Sequence, residues 1–129
     1  MQQATAFRMF FQNAFTSIKI GGDEQLAGKT VLSAFRAPTD NERYIKVLWI
    51  NSNGRQGENL DCTFSKVYSC TVSDGKIAVT GSLAGVSRVP LLHYKLLVGI
   101  SANGQITFSL DCKIRESAYW LPRLGFEFE

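Results

Sequence analysis

The chain predicts an all-β fold, an antiparallel β-sandwich, and three observations carry the prediction. From Leu60 onward apolar residues recur at every second position, the period of a strand with one buried face. Glycine, asparagine and aspartate punctuate those runs where hairpins would turn. Of 129 residues 12% are aromatic, nine of them Phe against two Met, and flat rings suit a pleated surface. Hydrophobic residues at 45% and charged residues at 19% describe a globular chain rather than a disordered one. The length fits one domain, residues 1–129, able to bury roughly two-thirds of its unfolded surface.

Residues 5–11 place Phe7, Met9 and Phe11 at alternate positions, so they read as a strand. Gln12-Asn13 would turn, and residues 15–20 would return with Ile18 and Ile20 inward. Gly21-Gly22-Asp23 ends that strand. A short third strand centres on Thr30-Val31-Leu32.

Next comes Arg36-Ala37-Pro38-Thr39-Asp40-Asn41-Glu42, a rigid polar loop opening. Pro38 fixes its own φ and pushes Ala37 toward an extended conformation. Asp40 or Asn41 is placed to cap one short helix running to Ile50. That helix has two rival apolar stripes, Tyr44 with Val47 and Leu48, or Ile45 with Trp49. Residues 51–57 lack periodicity and read as a mobile loop.

The remainder is plainly β. Cys62, Phe64, Lys66 and Tyr68 alternate with Thr63, Ser65, Val67 and Ser69. Ser73-Asp74-Gly75 supplies a tight turn, with Ile77 and Val79 alternating in the returning strand. Residues 89–100 form a long apolar run, and Asn103-Gly104 is the strongest hairpin signal. Ile106, Phe108 and Leu110 alternate after it, and residues 121–128 make the last strand. The count is roughly eight strands joined by neighbouring turns, which is how antiparallel sandwiches are wired.

Composition also excludes function classes. The net charge of +3 is spread as isolated Lys and Arg, so nucleic acid is not an expected partner. No apolar stretch is long enough for a helix to cross a bilayer, and no membrane partner is expected. Met1-Gln2-Gln3 lacks the character of a signal peptide. Cys62, Cys70 and Cys112 contain no C-x-x-C pair, which argues against zinc and for reduced, mostly buried thiols in a cytoplasmic protein.

Catalytic candidates are few. Hydrolysis of a glycosidic bond with retention needs two carboxyl groups about 5 Å apart. Only Asp40 and Glu42 lie close together in a pre-shaped loop, and most other acids sit at turns or outward strand positions. The loop carboxylates more readily brace a turn, Arg36 against Asp40, so no catalytic residue is assigned. His93, the one histidine, falls in an apolar strand run and reads as a packed or rim residue. No cluster has metal-ligand spacing, and no cofactor is expected in this chain. Trp49 offers a flat face to a sugar ring, whereas Trp120 reads as core.

Two segments carry a family resemblance. Phe35 followed by the heptapeptide resembles the “RAPTDND” motif of the β-galactosidases of glycoside hydrolase family 2, with Glu42 where the family usually has aspartate. Leu121-Pro122-Arg123-Leu124-Gly125-Phe126 resembles the family's “LPRiGl” strand, and Ser101-Ala102-Asn103-Gly104-Gln105-Ile106 resembles the hairpin between them. The resemblance implies the first part of a C-terminal sandwich, half of a supersandwich of the galactose-mutarotase type. It also implies a loop of Arg36, Asp40, Asn41 and Glu42 near a galactoside site, with Trp49 as a possible platform. The catalytic glutamates and the Mg and Na ligands would lie in other domains. Implied partners are the remaining chain (a TIM barrel and the second half of the sandwich), a galactoside, and a second copy through exposed sheet edges. The rival reading is a stand-alone carbohydrate-binding module.

Overall fold

The computed structural model describes residues 5–10, 13–50, 57–118 and 120–128, with side chains from Thr16 onward. Nine strands are present among them, and all pairings are antiparallel. Strands β1 (Thr5–Phe10), β2 (Asn13–Ile20) and β3 (Asp23–Glu24) form one sheet. Strand β4 (Val31–Ser33) pairs with β9 (Gly125–Glu127). Strands β5 (Thr63–Ser73), β6 (Lys76–Gly85), β7 (Leu92–Ile100) and β8 (Ile106–Ile114) form the largest sheet, in sequence order. The expected stripe of Phe7, Met9 and Phe11 and the loop at 51–56 lie outside the described side chains.

Two hairpins follow directly from turn chemistry. Ser73 pairs with Lys76, and Asp74 and Gly75 between them take φ of 48° and 70°. Both signs are those of a type I′ turn, which matches strand twist and tolerates this dipeptide. Gly21 and Gly22 do the same between β2 and β3, so the glycine pair ends β2 as expected and also folds a hairpin. At Asn103-Gly104 the turn is longer than two residues. Only Gly104 has positive φ, and Ser101 N–H donates to the Gln105 carbonyl across a three-residue loop.

One face of the large sheet is the core. Val79 and Leu83 of β6 and Leu92, Leu96 and Val98 of β7 are buried there, with Leu110 of β8 packed against them. Ile18, Leu32, Trp49 and Leu60 join the same cluster from the opposite side, so the packed sheets make an all-β sandwich. The opposite face carries Lys66, His93, Lys95, Asp111 and Lys113, all exposed. His93 is thus a surface residue, stacked on Tyr68 at 6.2 Å between ring centroids.

The alternation expected through β5 breaks at Tyr68. A register shift between Val67 and Ser69 inserts one residue, after which Cys70 pairs with Val79 and Val72 with Ile77. Ser65 and Val67 therefore share the inner face with Cys70 and Val72, as a bulge requires. The cysteines also depart from expectation: Cys62 and Cys70 are exposed and Cys112 is half-buried, all as free thiols. Burial, reinforced by Asp111, raises the Cys112 thiol above its ordinary value.

The expected single helix from residue 40 to 50 is two short pieces, a 3₁₀ turn (Asp40–Glu42) and a one-turn helix, α1 (Lys46–Trp49). Links of the 3₁₀ kind, Ile45 N–H to the Glu42 carbonyl and Leu48 N–H to the Ile45 carbonyl, connect them. The β-branched Ile45, Val47 and Ile50 disfavour a longer helix. Of the rival stripes, Ile45 with Trp49 turns inward while Tyr44 is exposed.

Tyr94 crosses Gly81 to share a 2.8 Å hydrogen bond with Ser65. A Cβ at Gly81 would stand 2.4 Å from the Lys66 carbonyl and 2.6 Å from the Tyr94 ring. Gly81→Ala is therefore expected to cost about 1–3 kcal/mol in urea unfolding. Gly99→Ala, where a Cβ meets nothing within 4 Å, should change stability by less than about 0.5 kcal/mol. Equal stability of the two variants would contradict this packing.

Candidate functional site

The polar heptapeptide starts two residues after Ala34, which is buried just past β4. Because β4 pairs with β9, the chain just before β9 lies beside the loop. Arg36 joins the two: its Nε donates to the Pro122 carbonyl at 3.2 Å, 86 residues away in sequence. Its two Nη atoms donate to the two carboxylate oxygens of Glu42 at 2.7 and 2.6 Å. This fork-to-fork geometry uses the guanidinium's planarity and fixes both groups.

Glu42 is also held from the other side. Its Oε2 accepts from the Thr39 N–H at 2.8 Å and the Thr39 hydroxyl at 3.0 Å. Thr39, rather than Asp40 or Asn41, thus occupies the N-cap position of the 3₁₀ turn. The hydrogen bonds from Arg36, then those from Thr39, hold the Glu42 carboxyl down at about 2. A carboxylate committed in this way is no proton donor near neutrality. The expected brace therefore exists with a different partner: Arg36 pairs with Glu42, not Asp40. One extra methylene at residue 42 was the sequence signal for that reach.

Asp40 and Asn41 stand exposed at the tip of the braced turn, without a hydrogen-bond partner among the described residues. Beside them is an open groove lined by Pro38, Thr39, Asp40, Arg43, Lys46 and Ile50. Periodicity treats Arg43 and Lys46 as ordinary surface cations. Only the fold brings them to the groove that Asp40 lines.

The two tryptophans exchange their expected places. Trp49 is 2% exposed and its indole N–H donates to the Trp120 carbonyl at 3.0 Å, so its faces are covered and it cannot serve as a platform. Burial of the Ile45 and Trp49 stripe is the reason. Trp120 is 74% exposed, with its backbone held by Trp49. Among the described residues no group of three or more His, Cys, Asp or Glu side chains is placed to hold a metal ion.

No protein-family model matches the chain. Over 112 residues it is 27% identical to a β-galactosidase of Actinobacillus pleuropneumoniae, an alignment that covers 79% of this chain and 10% of that protein. The chain thus spans about a tenth of the length of that relative, and is similar to one part of a much larger protein.

A carboxyl lowered in the folded state contributes stability above its ordinary value, 4.5, and loses it as pH falls through about 2. In a carbon-13 NMR titration Glu42 should keep its ionised shift down to about pH 3 and titrate near 2. In Arg36→Ala its midpoint should rise toward 4.5. An unaltered midpoint in that variant would show that Arg36 does not hold it.

Proposed function

We propose that this chain is a non-catalytic β-sandwich part of a family 2 β-galactosidase, an enzyme that hydrolyses terminal β-galactosides with retention. Its loop would form part of the wall of the galactoside site. The observation that carries the reading is the bond from Arg36 to the Pro122 carbonyl. It joins the two segments in which the family resemblance is concentrated, although they lie far apart in sequence.

The chemistry of the loop suits a wall. Arg36 and Glu42 satisfy each other, so they brace and do not bind. Asp40 and Asn41 keep free acceptors and donors at the tip, the groups that take sugar hydroxyls. The carboxylates that perform hydrolysis, and any Mg or Na ions, belong in this reading to the TIM barrel and other domains. The rest of the supersandwich would cover apolar surface still open here, including Val72 at 73% and Phe128 at 54% exposure. A carbohydrate-binding module is the second reading, favoured by the exposed ring of Trp120.

The test is a chimera in which this chain replaces the matched segment of the Actinobacillus β-galactosidase. It should hydrolyse a nitrophenyl β-galactoside, and Asp40→Ala with Asn41→Ala should raise KM about tenfold or more. A folded chimera of native mass without activity would sink the reading. Saturable binding of lactose by the isolated chain would favour the module instead. Alone, the chain is expected to self-associate through its open apolar surface, and a clean monomer mass by light scattering would contradict that.

A further inference from the structure

Resting on the proposed galactoside site, we infer that the groove beside the loop selects galactosides carrying an anionic ester, a phosphate or a sulfate. Four of the arginines with described side chains are occupied by the protein itself. Arg36 is bound to Glu42, Arg88 to the Gly57 carbonyl, Arg115 to Glu58 and Arg123 to Glu127. Arg43 has no such partner among the described residues, and it lines the groove together with Lys46, which has none either.

The groove's charge follows from the brace. Glu42 is neutralised by Arg36, so the ionised groups lining the groove are the carboxylate of Asp40 and the cations of Arg43 and Lys46. A neutral sugar would engage Asp40 through its hydroxyls and leave both cations to water. An ester of the same sugar uses all three: hydroxyls donate to Asp40, and Arg43 and Lys46 donate to the ester oxygens. Pro38 and Ile50 supply the apolar wall against which ring C–H groups pack. The open shape keeps the ester partly hydrated, which sets discrimination at the scale of one charge-assisted contact, about tenfold.

The experiment is a calorimetric titration of the chimera with galactose, galactose 6-phosphate, galactose 6-sulfate and inorganic phosphate. Both esters should bind saturably, at least about tenfold more tightly than galactose. Arg43→Gln with Lys46→Gln should reduce them to the level of galactose. Lys95→Gln, on the outer face of the large sheet, should change nothing. Esters that bind no better than galactose would overturn the inference, as would equal weakening by Lys95→Gln, which signals bulk charge alone. Inorganic phosphate as tight as the esters would also overturn it, leaving only an anion site. Because the chimera acts on an uncharged galactoside, its activity can stand while this inference falls.

Discussion

The four-stranded sheet of β5 to β8 has one apolar face, and the structure depends on covering it. Strands long enough to make that face are cheap to specify, because alternation and three sequential connections, two of them short turns, suffice. The cover is harder. It is assembled from Ile18 of β2, Leu32 of β4, Trp49 of α1 and Leu60, which belong to segments too short to be stable alone. Side chains therefore tie the cover to backbone groups elsewhere. Trp49 bonds the Trp120 carbonyl, Arg36 the Pro122 carbonyl, and Arg115 holds Glu58 along with the Val89 and Pro90 carbonyls. Each tie links residues distant in sequence, so the cover forms only when the whole chain is in place.

The loop inherits its shape from that arrangement. Its base is fixed because Arg36 spends every nitrogen on protein partners, and its tip is free because Asp40 and Asn41 spend nothing. The ion pair is partly solvated, with side-chain exposures of 38% and 23%. Pairs of that exposure contribute little to global stability, so its value is positional. A rigid base with unspent polar groups at the tip is what a binding wall needs, since little ordering remains to oppose binding.

How much of this was legible in the sequence follows from the range of each signal. The all-β class, the Asp74-Gly75 turn and the inward Ile77 and Val79 were readable because alternation and turn chemistry are local. The bulge at Tyr68 was not, because inserting one residue leaves composition untouched and shifts only the register against β6. Burial of Trp49 depended on which helical stripe meets the sheet, a tertiary choice that two equally spaced stripes cannot decide. The loop was located by its motif, but its brace was assigned to Asp40. Only the reach of the longer Glu42 side chain across the turn, seen in the fold, corrects that. Arg43 and Lys46 stayed invisible because their importance lies in having no partner, which is a property of the folded surface.

The large sheet is longer than its cover. Strand β5 runs for 11 residues, whereas β4 and β9 run for three each. After the bulge, Cys70 and Val72 continue along the inner face, yet both are exposed. At the other edge, Phe108, Phe126 and Phe128 meet in tilted and edge-to-face contacts with centroids 6.3 to 6.4 Å apart, and Phe128 remains exposed. Apolar residues that keep strand alternation beyond their cover are costly in a protein evolved to stand alone, because they invite edge pairing. They are ordinary where another sheet completes the sandwich. The match to about a tenth of a much larger β-galactosidase fits a chain that is part of a larger one. The bulge sets this geometry: without its extra residue, Cys70 and Val72 would turn to the solvated face.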